Sequence, residues 1–277
     1  MDNTLSIAFI GGGNMAAALA AGLADKVCPA GNLHVVDVNI DGHQAWRARG
    51  ATVAAGPDEA LARCKVWIYA VKPQNMRQAV ADTRGLLGDD TLVISVAAGL
   101  RADTLAQWLG EPGKPWQRLV RCMPNTPALV GAGITGLAAL PGASAADREL
   151  AGRLLQAVGE VVWVADDAAL DGVTALSGSG PAYVFLFIEA LMAGGLAVGL
   201  DEAQSRQLAL ATLSGAAKLA VQSDDPPAVL RQRVTSKGGT TAAALAEFEQ
   251  GGFTALVERA MQAAALRSRE LAAEFGK

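Results

Sequence analysis

The pattern of hydrophobic and polar positions divides the chain near residue 165. Before that point, short apolar runs rich in β-branched residues alternate with amphipathic stretches such as Met15–Asp25 and Gln74–Thr83, which we predict to be helices. The alternation predicts a doubly wound parallel sheet with helices on both faces, an α/β domain over residues 1–165. The predicted strands are Leu5–Ile10, Leu33–Asp37, Val66–Val71 and Leu92–Val96, with Leu119–Cys122, Ile134–Ala139 and Val161–Val164 extending the sheet.

The remainder of the chain, residues 166–277, has a different pattern. Strand-like runs disappear, and alanine and leucine recur at helical spacing. We predict helices over Asp201–Val221 and over Thr241–Phe275, the second broken near Gly251-Gly252, with a turn at Pro226-Pro227. This half is expected to be an all-helical domain, and its apolar content suggests that its helices pack against a second subunit.

One apolar stretch, Pro181–Leu200, has the length of a membrane span. Glu189 lies near its middle, where a carboxylate costs about 2.5–3.5 kcal/mol on insertion scales. Gly194 and Gly195 also weaken it as an isolated helix. We therefore expect a helix that is buried inside the protein or in a subunit interface, and no membrane partner.

Composition narrows the class of protein. The chain has 277 residues, of which 51% are hydrophobic and 18% charged, which is typical of a globular protein with a large core. The net charge is −4 and there is no basic block, which argues against nucleic acid as a partner. The three cysteines are widely spaced and no signal peptide is visible, so we expect a protein of the reducing cytoplasm.

A glycine-rich loop follows the first predicted strand. Gly11, Gly13 and Ala16 have the spacing of a dinucleotide fingerprint, in which the glycines permit a tight turn and a close approach of the pyrophosphate to a helix N-terminus. The alternative is a plain strand–helix turn. Because a strand precedes the loop, a helix follows it and a second strand ends in Asp37, we favour nucleotide binding.

Asp37 is the candidate ligand of the adenosine ribose, because a carboxylate at the end of the second strand usually accepts hydrogen bonds from the ribose hydroxyls. Alternatively, Asp37 caps a helix that begins near Ile40. The next residues are Val38 and Asn39, and no arginine follows before Arg47. An acidic group in this position favours NAD over NADP.

The chain offers few acid–base catalysts. Its two histidines, His34 and His43, flank the second strand, where surface or helix-capping roles are expected. No metal-binding spacing of His, Cys or carboxylates is present. Lys72 could act in catalysis, but a positioning or surface role is equally open. Reduction of an imine fits this inventory, because a protonated C=N already carries the charge that attracts a hydride.

A second glycine-rich loop precedes the helix predicted from Thr241. Ser236, Thr240 and Thr241 supply hydroxyls, and Gly238 and Gly239 expose backbone N–H groups at a helix start, a combination that suits a carboxylate. The alternative is a capped turn with nothing bound. Two glycines and three hydroxyls exceed what a cap needs, so we favour a ligand.

Several motifs together resemble bacterial Δ1-pyrroline-5-carboxylate reductases over essentially the whole chain. The more specific ones lie in the second half of the chain. In order, the matching segments are Phe9–Ala16, Ala70–Pro73, Val96–Gly99, Arg121–Pro127, Ser177–Tyr183 and Val234–Thr241.

The resemblance implies a Rossmann domain followed by a helical domain that interlocks with its partner in a homodimer, sometimes assembled into a decamer. It implies reduction of pyrroline-5-carboxylate to L-proline with NADPH, or NADH, as the cofactor. Ser236, Gly238, Gly239 and Thr240 would bind the substrate carboxylate, and Thr241 would contact the ring nitrogen as the candidate catalytic residue. The implied cofactor-binding residues are Ile10, Gly11, Gly12, Gly13, Asn14, Met15, Ala16, Asp37, Asn39, Ala70, Val71, Lys72, Pro73, Ala97, Ala98, Gly99 and Asn125.

The chain departs from the family after the second strand. Many members have polar residues there that suit the 2′-phosphate of NADP, whereas this chain has Asp37-Val38-Asn39. We therefore expect weaker discrimination against NADH. Two other functions stay open: a β-hydroxyacid dehydrogenase, for which Lys237 is the only late lysine in a suitable loop, and a non-catalytic dinucleotide-sensing protein.

Overall fold

The computed structural model describes residues 1–276, in which eight strands form one sheet. The strand order is β3-β2-β1-β4-β5-β6-β7-β8, and all neighbours are parallel except β6 and β7, which are antiparallel. The order reverses between β1 and β4, which is where doubly wound sheets bind ligands. The strands are β1 Ile7–Ile10, β2 Leu33–Val36, β3 Thr52–Ala54, β4 Val66–Tyr69, β5 Leu92–Ser95, β6 Leu119–Met123, β7 Gly133–Ala139 and β8 Gly159–Trp163.

Twelve α-helices accompany the sheet in the described part of the chain. They are α1 Asn14–Leu23, α2 His43–Ala48, α3 Glu59–Ala62, α4 Pro73–Thr83, α5 Ala102–Leu109, α6 Ala145–Gln156, α7 Leu170–Val173, α8 Gly180–Ala197, α9 Glu202–Val221, α10 Pro227–Arg233, α11 Thr240–Gln250 and α12 Phe253–Phe275.

The central strands are covered on both faces, which explains their uninterrupted apolar sequences. Every residue of β1, β2, β4 and β5 is buried. Alternate side chains of β1 enter different cores, since Ile7 and Phe9 lie in one hydrophobic cluster and Ala8 and Ile10 in the other. The prediction of a doubly wound α/β sheet followed by helices is confirmed.

Two features of the sheet differ from the prediction. The strand β3 was not predicted, because it is only three residues long and none of its residues is fully buried. The last two strands run opposite to the other six, since β7 follows β6 after a short connection and pairs with it antiparallel. The helix considered near Ile40 is a short helical turn, Ile40–Gly42, followed by α2, whereas α3, α5, α6, α7 and α10 were not predicted.

The described chain forms two compact units. The first unit comprises Met1–Ser179 together with the chain from Ala263 onward, and the second comprises Gly180–Gln262. The helix α12 therefore contributes residues to both units.

The second unit is helical and leaves many apolar side chains exposed. No residue of α8 is buried within the chain, which excludes the first of the two expected alternatives and leaves burial in a subunit interface. Among residues 1–276, one helical run, 170–197, is long and apolar enough to cross a membrane. An apolar groove of about 540 Å³ runs along this unit, lined by Tyr183, Leu186, Phe187, Ala190, Leu191, Phe248, Phe253, Leu256, Val257 and Ala260.

Candidate functional site

The first glycine loop connects β1 to α1 in a conformation that requires glycine. Gly11 has φ +97°, which is the left-handed region. A Cβ on Gly11 would lie 2.7 Å from Val71 Cγ1 and 2.9 Å from the Val71 nitrogen. The loop after β1 is therefore packed tightly against the segment Ala70–Pro73 that follows β4.

The start of α1 is open to a ligand. Gly13 precedes the helix in an extended conformation, and no side chain in the described residues caps it. A Cβ on Gly13 would meet no atom within 4 Å. Because the first turn of a helix leaves its N–H groups without helical partners, this open end attracts an anion such as a pyrophosphate. Ala16 is fully buried, in line with its predicted packing role.

The carboxylate of Asp37 is held beside this loop. Its Oδ2 accepts a hydrogen bond from the Gly12 nitrogen at 2.6 Å, and its Oδ1 accepts one from the Asn39 nitrogen at 2.8 Å. The side chain of Asn39, which accepts from the Asp41 nitrogen at 3.2 Å, caps the short helical turn that follows. The capping role considered for Asp37 therefore belongs to Asn39.

An apolar cleft of about 340 Å³ lies in the first unit, at the carboxyl ends of β1, β2 and β4. Asp37 lies at this cleft, and the neighbouring Val38 is 85% exposed. The cleft has the walls that a flat heteroaromatic ring needs and a carboxylate at its rim, which fits the adenosine half of a dinucleotide. The lining residues are Ile10, Gly11, Val36, Asp37, Val38, Gly56, Pro57, Val71, Asn75, Gln78, Ala79, Asp82 and Thr83.

Both histidines are buried and structural, which corrects the expected surface or helix-capping role. His43 Nε2 lies 2.7 Å from the carbonyl oxygen of Asp37. His34 Nδ1 lies 2.8 Å from Thr52 Oγ1, and its Nε2 lies 3.1 Å from Asp58 Oδ1. Burial lowers the pKa of His34 although Asp58 opposes the shift, so this imidazole is neutral at pH 7.

The loops after β4 and β5 carry the residues predicted for the nicotinamide side. Lys72 precedes α4, and Pro73 occupies the first turn of that helix. Gly99 has φ +68°, and a Cβ there would lie 3.0 Å from the Cβ of Leu271. The end of α12 therefore packs against the loop Ala97–Gly99.

The side chain of Asn125 makes a hydrogen bond that stabilises the fold. It is 9% exposed, and its Oδ1 accepts a hydrogen bond from the Ile134 nitrogen at 3.0 Å, which fixes the start of β7. Met123, two residues earlier, packs against Gly178. Residues Thr174–Gly178 form a π-helical turn, in which Ser177 Oγ donates to the Val173 carbonyl at 3.0 Å.

The second glycine loop lies in the other compact unit and is largely exposed. Gly238 has φ +71°, and a Cβ on it would meet no atom within 4 Å. The Gly239 nitrogen donates to the Ser236 carbonyl at 3.1 Å, and α11 begins at Thr240 without a capping side chain among the described residues. The loop thus offers backbone donors at a helix start beside the hydroxyls of Ser236, Thr240 and Thr241.

A cluster of paired charges was missed by the sequence analysis. Arg121 is almost fully buried, and its Nη1 lies 3.1 Å from Asp167 Oδ1. Arg101 pairs with Asp171 at 3.1 Å and with Asp167 at 3.6 Å, and Asp171 accepts from Ser268 Oγ at 2.7 Å. Arg121 lay inside a recognised motif, but sequence alone does not identify its partners, which are 46 residues away.

Two family models match the chain. Residues 167–271 match a model described as pyrroline-5-carboxylate reductase dimerisation. Residues 6–99 match a model described as NADP oxidoreductase, coenzyme F420-dependent. The first match covers the exposed helices of the second unit and the loop Thr235–Thr241, and the second covers the cleft beside Asp37.

Three proteins that are similar to almost the whole chain are pyrroline carboxylate reductases. The chain is 44% identical over 276 residues to the pyrroline-5-carboxylate reductase of Pseudomonas aeruginosa, covering 99% of this chain and 100% of the relative. A structure of that reductase from Coxiella burnetii is similar with a TM-score of 0.90 at 35% identity, covering 97% and 99%. The Plasmodium falciparum reductase with NADP bound has a TM-score of 0.85 at 28% identity, covering 98% and 100%.

Proposed function

The chain belongs to the pyrroline-5-carboxylate reductase family, and from this premise we propose that it reduces Δ1-pyrroline-5-carboxylate to L-proline, the last step of proline synthesis. It is an NAD(P)H-dependent oxidoreductase. NADPH or NADH, when bound, supplies the hydride. The observation that carries the proposal is the presence of two open helix starts, at Asn14 and Thr240. It is supported by the 44% identity of the chain to a pyrroline-5-carboxylate reductase over 276 residues.

The first unit would hold the dinucleotide. The N–H groups of Asn14, Met15 and Ala16 would donate to the pyrophosphate, and Gly11 and Gly13 would let the backbone approach it closely. Asp37 would accept hydrogen bonds from the ribose hydroxyls with the oxygen lone pairs that its backbone partners leave free. The segments Ala70–Pro73 and Ala97–Gly99, with Ile10, Gly12, Asn39 and Asn125, complete the proposed cofactor site.

The loop Ser236–Thr241 would hold the substrate. Its backbone N–H groups at Gly238, Gly239 and Thr240 and the Ser236 hydroxyl donate to the carboxylate of the substrate. Thr241 Oγ1 accepts from the protonated ring nitrogen, which keeps the C=N bond charged and electrophilic. Orientation and this charge are what the protein must supply, because the imine needs no histidine or metal to accept a hydride.

An assay of NADPH and NADH oxidation tests the proposal. Turnover with pyrroline-5-carboxylate, and none with hydroxyacids and NAD in the reverse direction, is expected. Thr241→Ala should lower kcat about tenfold or more, because it removes a contact to the reacting group, whereas Ser236→Ala should mainly raise KM for the imine. Folded protein without imine turnover would refute the proposal and favour the hydroxyacid or the sensing role, and equal, negligible effects of both substitutions would refute the site.

The discrimination between cofactors is proposed to be weak. The Asp37 carboxylate repels a 2′-phosphate, and the next positions offer the exposed apolar Val38 and Ile40 instead of a cation. We expect kcat/KM for NADPH and NADH to differ by less than about a hundredfold, which is roughly 2.7 kcal/mol. Val38→Arg should shift the ratio toward NADPH, and an unchanged ratio would contradict the role of this loop.

The protein is proposed to be a homodimer, with a decamer as a further assembly. The apolar groove of the second unit would be covered by the partner, because an exposed apolar surface of this extent is rarely left in water. Cys28, Cys64 and Cys122 are buried free thiols, which supports the proposed cytoplasmic location.

A further inference from the structure

We propose that Arg101 is a positioning residue for hydride transfer, and that Asp171 and Ser268 fix its side chain. This inference rests on the proposed function, which places the loop Ala97–Gly99 against the nicotinamide. Arg101 is separated from that loop only by Leu100 and is the N-cap residue of α5, so a fixed Arg101 side chain restrains the backbone next to the loop.

The Arg101 cluster consists of Arg101, Arg121, Asp167, Asp171 and Ser268. Two guanidinium groups and two carboxylates balance one another in charge. Asp167 lies between the two arginines, with Oδ1 at 3.1 Å from Arg121 Nη1 and Oδ2 at 3.6 Å from Arg101 Nη1. The side chains of Arg121 and Asp171 are 2% and 6% exposed, and those of Arg101 and Asp167 are 26% and 21% exposed. Because the two arginines share Asp167 as a partner, the position of one arginine depends on that of the other.

The cluster gathers separate parts of the first unit around one loop. Arg121 lies on β6, Asp171 on α7 and Ser268 on α12. Ser268 and Leu271 are three positions apart and share one face of α12. Through Ser268 this face binds Asp171, and through Leu271 it contacts Gly99. The helix end and the arginine thus restrain the loop Ala97–Gly99 from two sides.

The energetic argument favours a positioning role over a purely stabilising one. A buried ion pair gives little net stability compared with apolar side chains of the same size, because desolvation offsets the attraction. It does impose one geometry on the backbone that carries it. Misplacement of a reacting group by about 1 Å can cost about a hundredfold in rate, so a fixed loop beside the hydride donor has a large effect on kcat.

Asp171→Asn distinguishes a positioning role of the Arg101 cluster from a stabilising role in the full-length protein. The asparagine keeps an oxygen that accepts from Ser268, but its charge no longer attracts Arg101. We expect kcat to fall about tenfold and the primary isotope effect with deuterated NADPH to rise, because hydride transfer becomes slower relative to binding and release. The KM for the imine should change less than about twofold, because the proposed carboxylate contacts are in the other loop.

Asp147→Asn is the matched control. Asp147 is also buried and pairs with an arginine, Arg118, but it lies at the start of α6, where it is bonded to Ser144. This variant should lower Tm with kcat within about twofold of the parent. If both variants lower Tm and leave kcat and the isotope effect unchanged, the cluster is only structural and the inference is overturned.

Arg101→Lys and Arg101→Met provide a second comparison, and Ser268→Ala covers a failure of Asp171→Asn to fold. Lysine keeps the charge, so it should retain more of kcat than methionine, and Ser268→Ala should lower kcat about threefold. Equal losses with lysine and methionine, or no loss in Ser268→Ala, would contradict the proposal. Absence of imine turnover in the parent protein would instead refute the proposed function. In that case the affinity for NADPH would be compared between the two variants. Weaker binding by Asp171→Asn than by Asp147→Asn would support the positioning role, and equal binding would contradict it.

Discussion

The two glycine-rich loops end at helix starts with the same kind of donors, but their surroundings differ. In the first loop, a Cβ on Gly11 or Gly12 would lie within 3 Å of Val71, Trp46 or Asp37. In the second loop, a Cβ on Gly238 would meet no atom within 4 Å, and the nearest atoms to a Cβ on Gly239 belong to Ser236 of the same loop. The first loop is therefore built into the packing of its unit, whereas the second presents donors with little packing behind them. A change in the first should affect the fold, and a change in the second should affect mainly the ligand.

The largest expected effect is that of Gly11→Ala. Alanine would be strained at φ +97° and would collide with the backbone at Val71, so we expect a loss of about 2–4 kcal/mol in the free energy of unfolding. Denaturant titration measures this loss. Gly13→Ala is the control within the same loop, because its φ is −74° and the space is open, and it should cost less than about 1 kcal/mol while raising KM for NADPH. Equal losses in the free energy of unfolding for the two variants would contradict the conclusion that Gly11 is tightly packed.

The second effect concerns the apolar groove of the second unit. Leu186 is 66% exposed and lines the groove, so Leu186→Asp should weaken self-association about a hundredfold, or roughly 2.7 kcal/mol. Sedimentation velocity over a range of concentrations measures it. Val162→Asp places the same charge at an exposed apolar position of β8 and should leave association unchanged. An unchanged dimer in Leu186→Asp would mean that another surface carries the contact.

The smallest of the three expected effects is that of Gly238→Ala. Its φ of +71° strains alanine by about 1–2 kcal/mol, but no atom obstructs the added methyl group. We expect KM for the imine to rise about tenfold, because a strained loop presents its N–H groups less well to a carboxylate. Steady-state kinetics at saturating NADPH measures this change. A stability loss as large as that of Gly11→Ala would show that the second loop is as tightly packed as the first.

The fold was predictable wherever a strand is buried on both faces. The central strands β1, β2, β4 and β5 begin and end within about two residues of their predicted positions, because continuous apolar runs bounded by turns are a strong signal. The strand β3 lacks this signal, since Thr52 is exposed and the other two residues are half-buried. The reversal at β7 could not be predicted, because direction depends on the connection and on pairing partners.

Positions in the candidate sites were predictable where a backbone conformation demands a residue type. Gly11, Gly99 and Gly238 all have positive φ, which explains why glycine recurs in these motifs. The partners of buried charges were not predictable, because Arg101 and Asp171 are 70 residues apart and follow no periodic pattern. The burial of His34 and His43 was missed for the same reason, since polar residues in a strand or a short helix give no sign of the contacts that enclose them.

The π-helical turn at Thr174–Gly178 determines how this region tolerates changes in length. The turn lies within one continuous helical run, 170–197, and a π turn closes its hydrogen-bonded loop with one residue more than an α turn does. Removal of one residue there converts it to an α turn, and the side chains of α8 keep their directions. Removal of one residue from the body of α8 instead rotates every later side chain of that helix by about 100°. A single-residue deletion at the π turn therefore leaves the apolar groove intact, whereas a deletion a few residues later turns the groove-lining side chains of α8 away from the groove.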